Sequence, residues 1–189
     1  MGKLIYIANI SLDGYTADRA GNFDFTVPTP EVFSTILELV RGAGTHVYGR
    51  KMYEVMASWE TAHLTPDAPS FIPGLGELER DFANVWRAAD KLVISTTLAT
   101  ATTRRTRIVP SFDADAIRHL KRDQTLTVGG PQLAAAMMNV DLVDELHAFV
   151  SPTILGGGHP WLPPDLRRTL TLAGERRLGG VVHLHYARP

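Results

Sequence analysis

The sequence contains no cysteine, no long apolar run and no large excess of charge of either sign. Without cysteine, disulfides, thiolate metal sites and a cysteine nucleophile are excluded together, which agrees with an expected cytoplasmic location. The formal net charge of -1 supplies no basic field, so neither nucleic acid nor an anionic membrane is an expected partner. The apolar start, Leu4 to Ile10, is too short to span a membrane and predicts a first strand.

Length and composition predict one domain over residues 1–189. With 189 residues and 44% hydrophobic content, the chain can bury a full core unaided. No internal repeat, low-complexity tract or linker interrupts it, and turn residues are scattered along its length. The absence of strong charge makes a small molecule the expected ligand.

Strand and helix patterns alternate along the chain. Strands are predicted at Leu4–Asn9, Thr45–Tyr48, Lys91–Ser95, Arg107–Val109, Leu126–Val128, Glu145–Ser151, Thr169–Glu175 and Val181–Tyr186. Helices are predicted at Glu31–Arg41, Arg50–Ala57, Leu78–Ala89, Asp115–Arg122 and Gln132–Val140. This order predicts an α/β fold with a mixed, mostly parallel central sheet flanked by helices. Because only Leu178-Gly179-Gly180 separates the last two strands, they should form a hairpin and an antiparallel C-terminal edge.

A glycine pair stands where one strand ends and a helix begins. Gly129 and Gly130 would let the backbone approach a ligand without interference from Cβ, and Pro131 suits a first helical position because its missing N–H is not needed. The free N–H groups of this helix start would face an anion. The segment assigned to this phosphate-binding corner comprises Val128, Gly129, Gly130, Pro131, Gln132 and Leu133. A plain tight turn is the alternative.

Two further strand ends carry polar groups. Gly49 precedes a predicted helix, and Arg50 with Lys51 would add positive charge beside its free N–H groups; two ordinary surface cations are the alternative. Ser95, Thr96 and Thr97 offer hydroxyl groups at the end of another strand, although such residues are also good loop formers. Open α/β sheets bind ligands at this edge, so all three corners are candidate binding groups.

Six short segments occur in the order of a known superfamily and span most of the chain. They are Asn9-Ile10-Ser11-Leu12-Asp13-Gly14-Tyr15, Tyr48-Gly49-Arg50-Lys51-Met52-Tyr53, Val93-Ile94-Ser95-Thr96, Val128-Gly129-Gly130-Pro131, Val143-Asp144-Glu145-Leu146 and Leu155-Gly156-Gly157-Gly158. With them the chain resembles the dihydrofolate reductase-like superfamily, nearest to the reductase domain of riboflavin biosynthesis and its stand-alone relatives. The resemblance implies a three-layer fold with helices on both faces of the sheet, and a homodimer.

The resemblance also implies NADPH-dependent reduction of a small nitrogen heterocycle. Gly129 and Gly130 would lie beneath the cofactor pyrophosphate, with the cis peptide often found there in this superfamily. Arg50 would reach the phosphates, and the strand end at Ser95 and Thr96 matches the one that contacts the adenosine 2′-phosphate in relatives. Cofactor contact is also expected at Ala8, Gly49 and Lys51. A Rossmann fold is the weaker alternative, because no Gly-x-Gly-x-x-Gly follows the first strand.

Substrate contacts are expected around the first strand end, from Asn9 and Ser11, and from Tyr53 and Trp59. Asp13 is the nearest candidate for the catalytic proton donor, but Asp-Gly is also a turn signature in which the carboxylate only caps backbone N–H groups. Trp59 begins a long proline-rich loop, residues 57–74, that could form a lid, a binding wall or a surface excursion, while tryptophan in general indicates a core or interface.

Two departures from relatives bear on the substrate. Riboflavin-pathway reductases usually carry a glutamate immediately before the small-residue corner, where this chain has Val128. Dihydrofolate reductases grip the pterin with an acid on the first helix, and here Glu31 and Glu38 are both available without a spacing that singles one out. A dimeric, nucleotide-binding sensor or scaffold with little activity is therefore the alternative function.

Three histidines fall in predicted strands. His183 and His185 share one face of the last strand, and His147 lies in another strand. No carboxylate stands in a recognisable ligand spacing with them, and strand histidines are more often packed or solvated side chains. We therefore predict no metal site from the sequence.

Overall fold

The computed structural model describes residues 2–62 and 76–189. Its strands are β1 Leu4–Ile10, β2 Tyr15–Ala17, β3 Ala43–Gly49, β4 Asp90–Ile94, β5 Thr106–Val109, β6 Thr125–Gly129, β7 Glu145–Val150, β8 His159–Pro160, β9 Thr171–Leu178 and β10 Val181–Ala187. Its α-helices are α1 Pro30–Arg41, α2 Arg50–Met56, α3 Glu77–Ala88, α4 Ala114–Asp123 and α5 Pro131–Asn139. Short 3-10 helices form at Asp24–Thr26 and Ala57–Glu60. Every strand and α-helix expected from the sequence is present, with ends shifted by a few residues.

The main sheet of the described chain has eight strands in the order β5-β4-β3-β6-β1-β7-β10-β9. The pairings from β5 to β7 are all parallel, and β10 is antiparallel to both of its neighbours. Parallel neighbours require crossover connections, and helices supply most of them, whereas β9 and β10 are joined directly through Gly179-Gly180. The predicted mixed sheet with an antiparallel C-terminal edge is confirmed.

Two apolar layers cover the two faces of this sheet. Alternate residues of β1, such as Leu4 and Tyr6, pack on one face together with Ile117 of α4 and Met137 of α5. The opposite face carries a cluster from α1 and α3. Its members include Phe33, Leu37, Phe82 and Trp86. Each large apolar side chain that is fully buried contributes roughly 1.5–3 kcal/mol, so both layers are substantial and the three-layer arrangement is confirmed.

The first helix shows how local signals set an element. Thr29 accepts a hydrogen bond from the backbone N–H of Val32, and Pro30 occupies the first turn, where its missing N–H costs nothing. The helix ends at Arg41, before Gly42, and its basic last residue suits the negative end of the helix dipole. No helix within residues 2–62 and 76–189 combines the length and apolar character needed to cross a membrane.

A small antiparallel ribbon was not predicted. Tyr15 pairs with Pro160, and Ala17 pairs with His159. Strands of three and two residues are too short to show a periodicity in sequence. The ribbon matters because it ties the loop after β1 to the loop after β7, at the edge where the parallel strands end.

Candidate functional site

The carboxyl ends of β3, β6, β1 and β7 lie side by side along one edge of the sheet. Tyr48 of β3 pairs with Gly129 of β6, and Ile10 of β1 pairs with Val150 of β7. The two glycine corners therefore stand on adjacent strands, and the loop after β1 begins beyond the same edge. The sequence-predicted binding groups converge at one place because parallel strands all end on the same side.

The corner after β6 needs both of its glycines, for different reasons. A Cβ on Gly129 would lie 2.9 Å from two ring carbons of Tyr48 and 3.0 Å from Cγ of Met52, so the Tyr48 ring of β3 and Met52 of α2 together exclude a side chain there. Gly130 adopts φ +94°, a conformation that side chains disfavour. The expected cis peptide is absent from the described residues; the positive φ of Gly130 makes the turn instead.

The start of α5 has the character of an anion site. Pro131 occupies its first turn, and among the described residues no side chain caps the helix at Gly130. The first backbone donors, the N–H groups of Gln132 and Leu133, thus remain for a ligand or for water. Val128, immediately before the corner, is buried on β6 beside Val47 and offers no polar group.

Arg50 connects the corner after β3 with the loop that follows β4. Its Nε donates to Oε1 of Glu54 at 2.7 Å, and its NH1 donates to Oγ1 of Thr97 at 3.0 Å. Because both carboxylate and guanidinium are about half exposed, this pair contributes about 0–1 kcal/mol and can be exchanged for a phosphate. Lys51 is exposed beside it, and Gly49 precedes α2 without a side-chain cap.

The hydroxyl of Ser95 is already used by the protein. Its Oγ accepts from the backbone N–H groups of Thr97 at 3.2 Å and Leu98 at 3.0 Å, and so shapes the loop after β4. Thr96 is exposed at the tip of the same loop. Thr97, the third hydroxyl of this strand end, is the residue that contacts Arg50.

Asp13 is held as an acceptor between two loops. Its Oδ1 accepts from Oγ of Ser11 at 2.7 Å and from the backbone N–H of Leu155 at 3.1 Å, and its Oδ2 accepts from the N–H of Gly156 at 2.8 Å. The Ser11 hydroxyl is the main cause, and the two N–H groups a smaller one, of a lowered pKa at Asp13. This geometry favours the capping alternative; the role of Asp13 as proton donor stays a prediction.

The remaining predicted contacts near β1 differ in their access to solvent. Ser11 is fully buried and accepts from the backbone N–H of Tyr15. Ala8 is buried on β1, whereas Asn9 is half-buried on the opposite face of that strand. Of these, only Asn9 retains an accessible polar side chain, so its assignment as a substrate contact stays a prediction.

Two predicted substrate contacts lie in the core. Tyr53 is 1% exposed, and its hydroxyl accepts from the backbone N–H groups of Thr102 and Thr103 at 3.0 and 3.2 Å. Trp59 is 9% exposed in a 3-10 helix, with its ring centroid 4.7 Å from that of Phe82. These positions support structural roles and give no support to direct substrate contact. The predicted loop, residues 57–74, begins with this 3-10 helix, and its residues 63–74 lie outside the described residues, so its role as a lid, binding wall or surface excursion stays a prediction.

The glycine triplet Gly156-Gly157-Gly158, which follows β7, also has a structural reason. A Cβ on Gly158 would lie 2.0 Å from the carbonyl oxygen of Ala17, so the β2–β8 ribbon requires glycine there. The carbonyl of Gly156 accepts from NH2 of Arg19 at 3.1 Å. The triplet was visible in sequence, but the partner across the ribbon was not.

The histidine strands contain a carboxylate that sequence spacing did not reveal. Glu145 lies two residues before His147 on β7, and its Oε2 is 3.6 Å from Nε2 of His147 and 3.5 Å from Nε2 of His185. The sequence argument that no carboxylate accompanies these histidines is therefore wrong. The cluster begins at the amino end of β7, so it is separate from the edge described above.

A match to a known protein family covers all of these corners. Residues 2–184 match the family described as the RibD C-terminal domain. The chain belongs to this family. The match includes both glycine corners, the loop after β1 and nearly all of the sheet.

Solved structures confirm the fold of this family member. A protein provisionally assigned to riboflavin biosynthesis in Shewanella sp. PV-4 aligns with TM-score 0.74 and 21% identity over 99% of both chains. The diaminohydroxyphosphoribosylaminopyrimidine deaminase/5-amino-6-(5-phosphoribosylamino)uracil reductase of Thermotoga maritima gives 0.67 and 14%, with 100% of this chain covering 57% of that one. A pyrimidine reductase-like protein of Corynebacterium diphtheriae gives 0.62 and 14%, over 98% and 91%.

Among curated proteins, no sequence matches this chain significantly. The family match and the shared fold therefore carry the comparison, and they suggest a reductase domain of the riboflavin type.

Proposed function

We propose that this protein is an NADPH-dependent reductase that transfers a hydride to a small nitrogen heterocycle, a pyrimidine or pterin-like compound of riboflavin or folate type metabolism. The observation that carries the proposal is the family match over residues 2–184, combined with two uncapped helix starts on adjacent strands. Pyrimidine reduction is named for two structural relatives and supports this substrate class.

The donor set at the edge of the sheet fits the phosphates of a dinucleotide. The N–H groups at the start of α5 and the guanidinium of Arg50 are donors for oxyanions, and the glycine backbone at Gly129 and Gly130 keeps the corner free of side chains. Ser95 and Thr96 would stand nearer the adenosine end. These residues would hold NADPH, which supplies the hydride when bound.

The chain's own groups would orient the substrate and exclude water. We assign Asn9 to substrate contact because its amide is half-buried at the strand end. Ser11 and Asp13 would act by holding the loop after β1 against Leu155 and Gly156. Because the Asp13 carboxylate already accepts hydrogen bonds from Ser11, Leu155 and Gly156, water is the better supported source of the proton that accompanies the hydride.

Binding of the cofactor can be tested with a matched pair of arginines. Arg50 and Arg41 each form one exposed ion pair on a helix, at 2.7 Å and 2.9 Å, but Arg41 lies at the end of α1, before β3 begins. Arg50→Gln should weaken NADPH binding about tenfold or more, since a charge-assisted hydrogen bond contributes about 1.5–3 kcal/mol. Arg41→Gln should leave it unchanged. Fluorescence titration with NADPH and with NADH measures both.

The outcomes separate the functions. Preferential NADPH binding, lost with Arg50→Gln but not Arg41→Gln, supports the proposal and leads to turnover assays with aminopyrimidine and pterin acceptors. Absence of NADPH binding by the folded wild type would overturn it. Binding without turnover on any acceptor would favour the second candidate, a nucleotide-binding sensor or scaffold, which is motivated by buried, apolar Val128 at the position where the resemblance to riboflavin-pathway reductases implies a glutamate.

Assembly and location enter the proposal as expectations. We propose a cytoplasmic homodimer, because members of the resembling superfamily commonly pair through sheet-edge and helix surfaces. Sedimentation velocity at working concentration measures this directly, and a monomer would contradict it.

A further inference from the structure

A cluster of three potential metal ligands forms where β7 and β10 pair. Glu145 and His147 project from the same face of β7 because they are two residues apart. His185 of β10 is the direct antiparallel partner of His147, so its ring lies over that of His147, with centroids 4.1 Å apart. Strand geometry alone therefore brings two imidazoles and one carboxylate together.

The distances in the cluster suit a single ion. The Oε2 of Glu145 is 3.5 Å from Nε2 of His185 and 3.6 Å from Nε2 of His147, and ligand atoms of all three residues lie within 4.8 Å of one another. Two ligands of one tetrahedral zinc, each about 2.0–2.1 Å from the ion, lie roughly 3.4 Å apart. Small side-chain movements would bring all three onto one ion.

The Nε2 atoms of His147 and His185 have no hydrogen-bond partner among the residues that the structure describes. His147 is 3% exposed, and the Nε2 atoms of His147 and His185 are both buried and unpartnered. A buried polar atom left without a partner costs about 1–3 kcal/mol. Both atoms face Glu145 at a distance just beyond hydrogen bonding, and an ion between them would satisfy all three groups.

The second ring nitrogen of His147 prepares the first for ligation. Its Nδ1 is 3.0 Å from Nε2 of His183. If Nδ1 carries the proton and donates it to His183, the lone pair of His147 Nε2 points into the cluster.

Lys3 fixes the orientation of the carboxylate. Its ammonium contacts Oε1 of Glu145, which leaves Oε2 directed at the histidines. The lysine side chain is more than half exposed, so it can move outward and reduce its repulsion of a cation. Access is available on the side of His185, whose side chain is 26% exposed and whose partner on β9 is Gly174, where a Cβ would meet nothing within 4 Å.

We propose that Glu145, His147 and His185 bind one divalent transition-metal ion of the zinc class. Two imidazoles and a carboxylate form a ligand set that zinc accepts, and three protein ligands leave a further position for water or an exogenous ligand. His183 is a positioning residue for this site. The site is independent of the cofactor corner, because it lies toward the amino end of β7, whereas the corners lie at the carboxyl ends of β3 and β6.

The test uses the full chain, stripped with a chelator and with any histidine affinity tag removed. Calorimetric titration with ZnCl2 should show one ion bound per chain. Co²⁺ bound in place of Zn²⁺ should give the visible absorption bands of a site with a low coordination number. His185→Gln and Glu145→Gln should each weaken Zn²⁺ binding by at least the 10–100-fold that loss of an outer ligand partner costs. His159→Gln, which changes an exposed histidine on β8, is the matched control and should bind like wild type.

Circular dichroism and NADPH titration check that each variant is folded. Both ligand variants should keep the wild-type spectrum, and their response to NADPH should equal that of wild type whether or not NADPH binds. Absence of one-to-one Zn²⁺ binding by wild type would overturn the proposal. So would affinity unchanged in both ligand variants, or reduced equally by His159→Gln.

Discussion

The glycine corners lie at the carboxyl ends of β3 and β6, whereas the histidine cluster lies toward the amino end of β7 in the same sheet. The two are built in opposite ways. The corners consist of backbone: Gly129 and Gly130 remove side chains so that N–H groups can meet a ligand. The cluster consists of side chains that three residues contribute across two strands. A site of backbone donors can therefore be recognised from consecutive residues in the sequence. A site made of side chains on two strands depends on the register in which those strands pair.

The largest expected effect tests whether the first corner is a packing requirement. Gly129→Val should destabilise the protein by about 3 kcal/mol, because its Cβ would lie 2.9 Å from the Tyr48 ring. Gly174→Val on β9 is the control, since a Cβ there meets nothing within 4 Å. Urea unfolding measures both. Equal stability of the two variants would show that the Tyr48 ring and Met52 move aside at little cost.

A second prediction uses a buried histidine that lacks a carboxylate neighbour. His46 is 1% exposed, with Nδ1 2.6 Å from Oγ1 of Thr127 and an unpartnered Nε2. Burial, followed by the charge of Lys91, lowers the pKa of His46 to about 4. Between that value and about 6.5 the unfolded chain binds more protons, so the stability that neutral His46 contributes is complete above about pH 6.5 and is lost as the pH falls towards 4.

The expected loss from this one residue is about 2 kcal/mol between pH 7 and pH 5. His46→Gln should remove that part of the pH dependence, as urea unfolding at the two pH values would reveal. If the variant loses as much stability as wild type on acidification, then His46 does not have a depressed pKa. Unlike His185→Gln, this variant should leave Zn²⁺ binding unchanged, which distinguishes a buried base from a ligand.

The smallest expected effect concerns the residue behind the cluster. His183→Leu removes the acceptor 3.0 Å from Nδ1 of His147 and should weaken Zn²⁺ binding about tenfold while keeping one ion per chain. His183→Gln retains a possible acceptor and should recover part of the affinity. If both substitutions leave the Zn²⁺ affinity and the Co²⁺ spectrum unchanged, His183 has no positioning role.

Local patterns predicted the elements well where periodicity was strong. The helix predicted at Glu31–Arg41 is present as α1, and Phe33, Leu37 and Val40 on its apolar side are buried. The last strands were less exact: β9 runs to Leu178, three residues beyond its predicted end. Its additional residues include Arg176 and Arg177, whose charged side chains do not indicate a strand in the sequence. They are in a strand because they pair with His183 and Val182 of β10.

The site residues also divide into those that local sequence predicts and those that it does not. The glycine corners were recognisable because backbone freedom and helix starts leave a signal in adjacent residues. The buried positions of Tyr53 and Trp59 could not be recognised from the sequence, since an aromatic side chain near a loop can line a site or fill a core. Thr97 was one of three hydroxyls noted at its strand end, but nothing in the sequence showed that it contacts Arg50, which follows another strand.

The sequence by itself determined the alternation of strands and helices, the C-terminal hairpin and the glycine corners, because each depends on residues that are neighbours in the chain. Tertiary structure decided which distant groups meet. His185 stands opposite His147, with Glu145 beside them, only because β10 pairs antiparallel with β7 in one register. A shift of one residue in that register would turn every side chain of β10 to the other face and disperse the cluster.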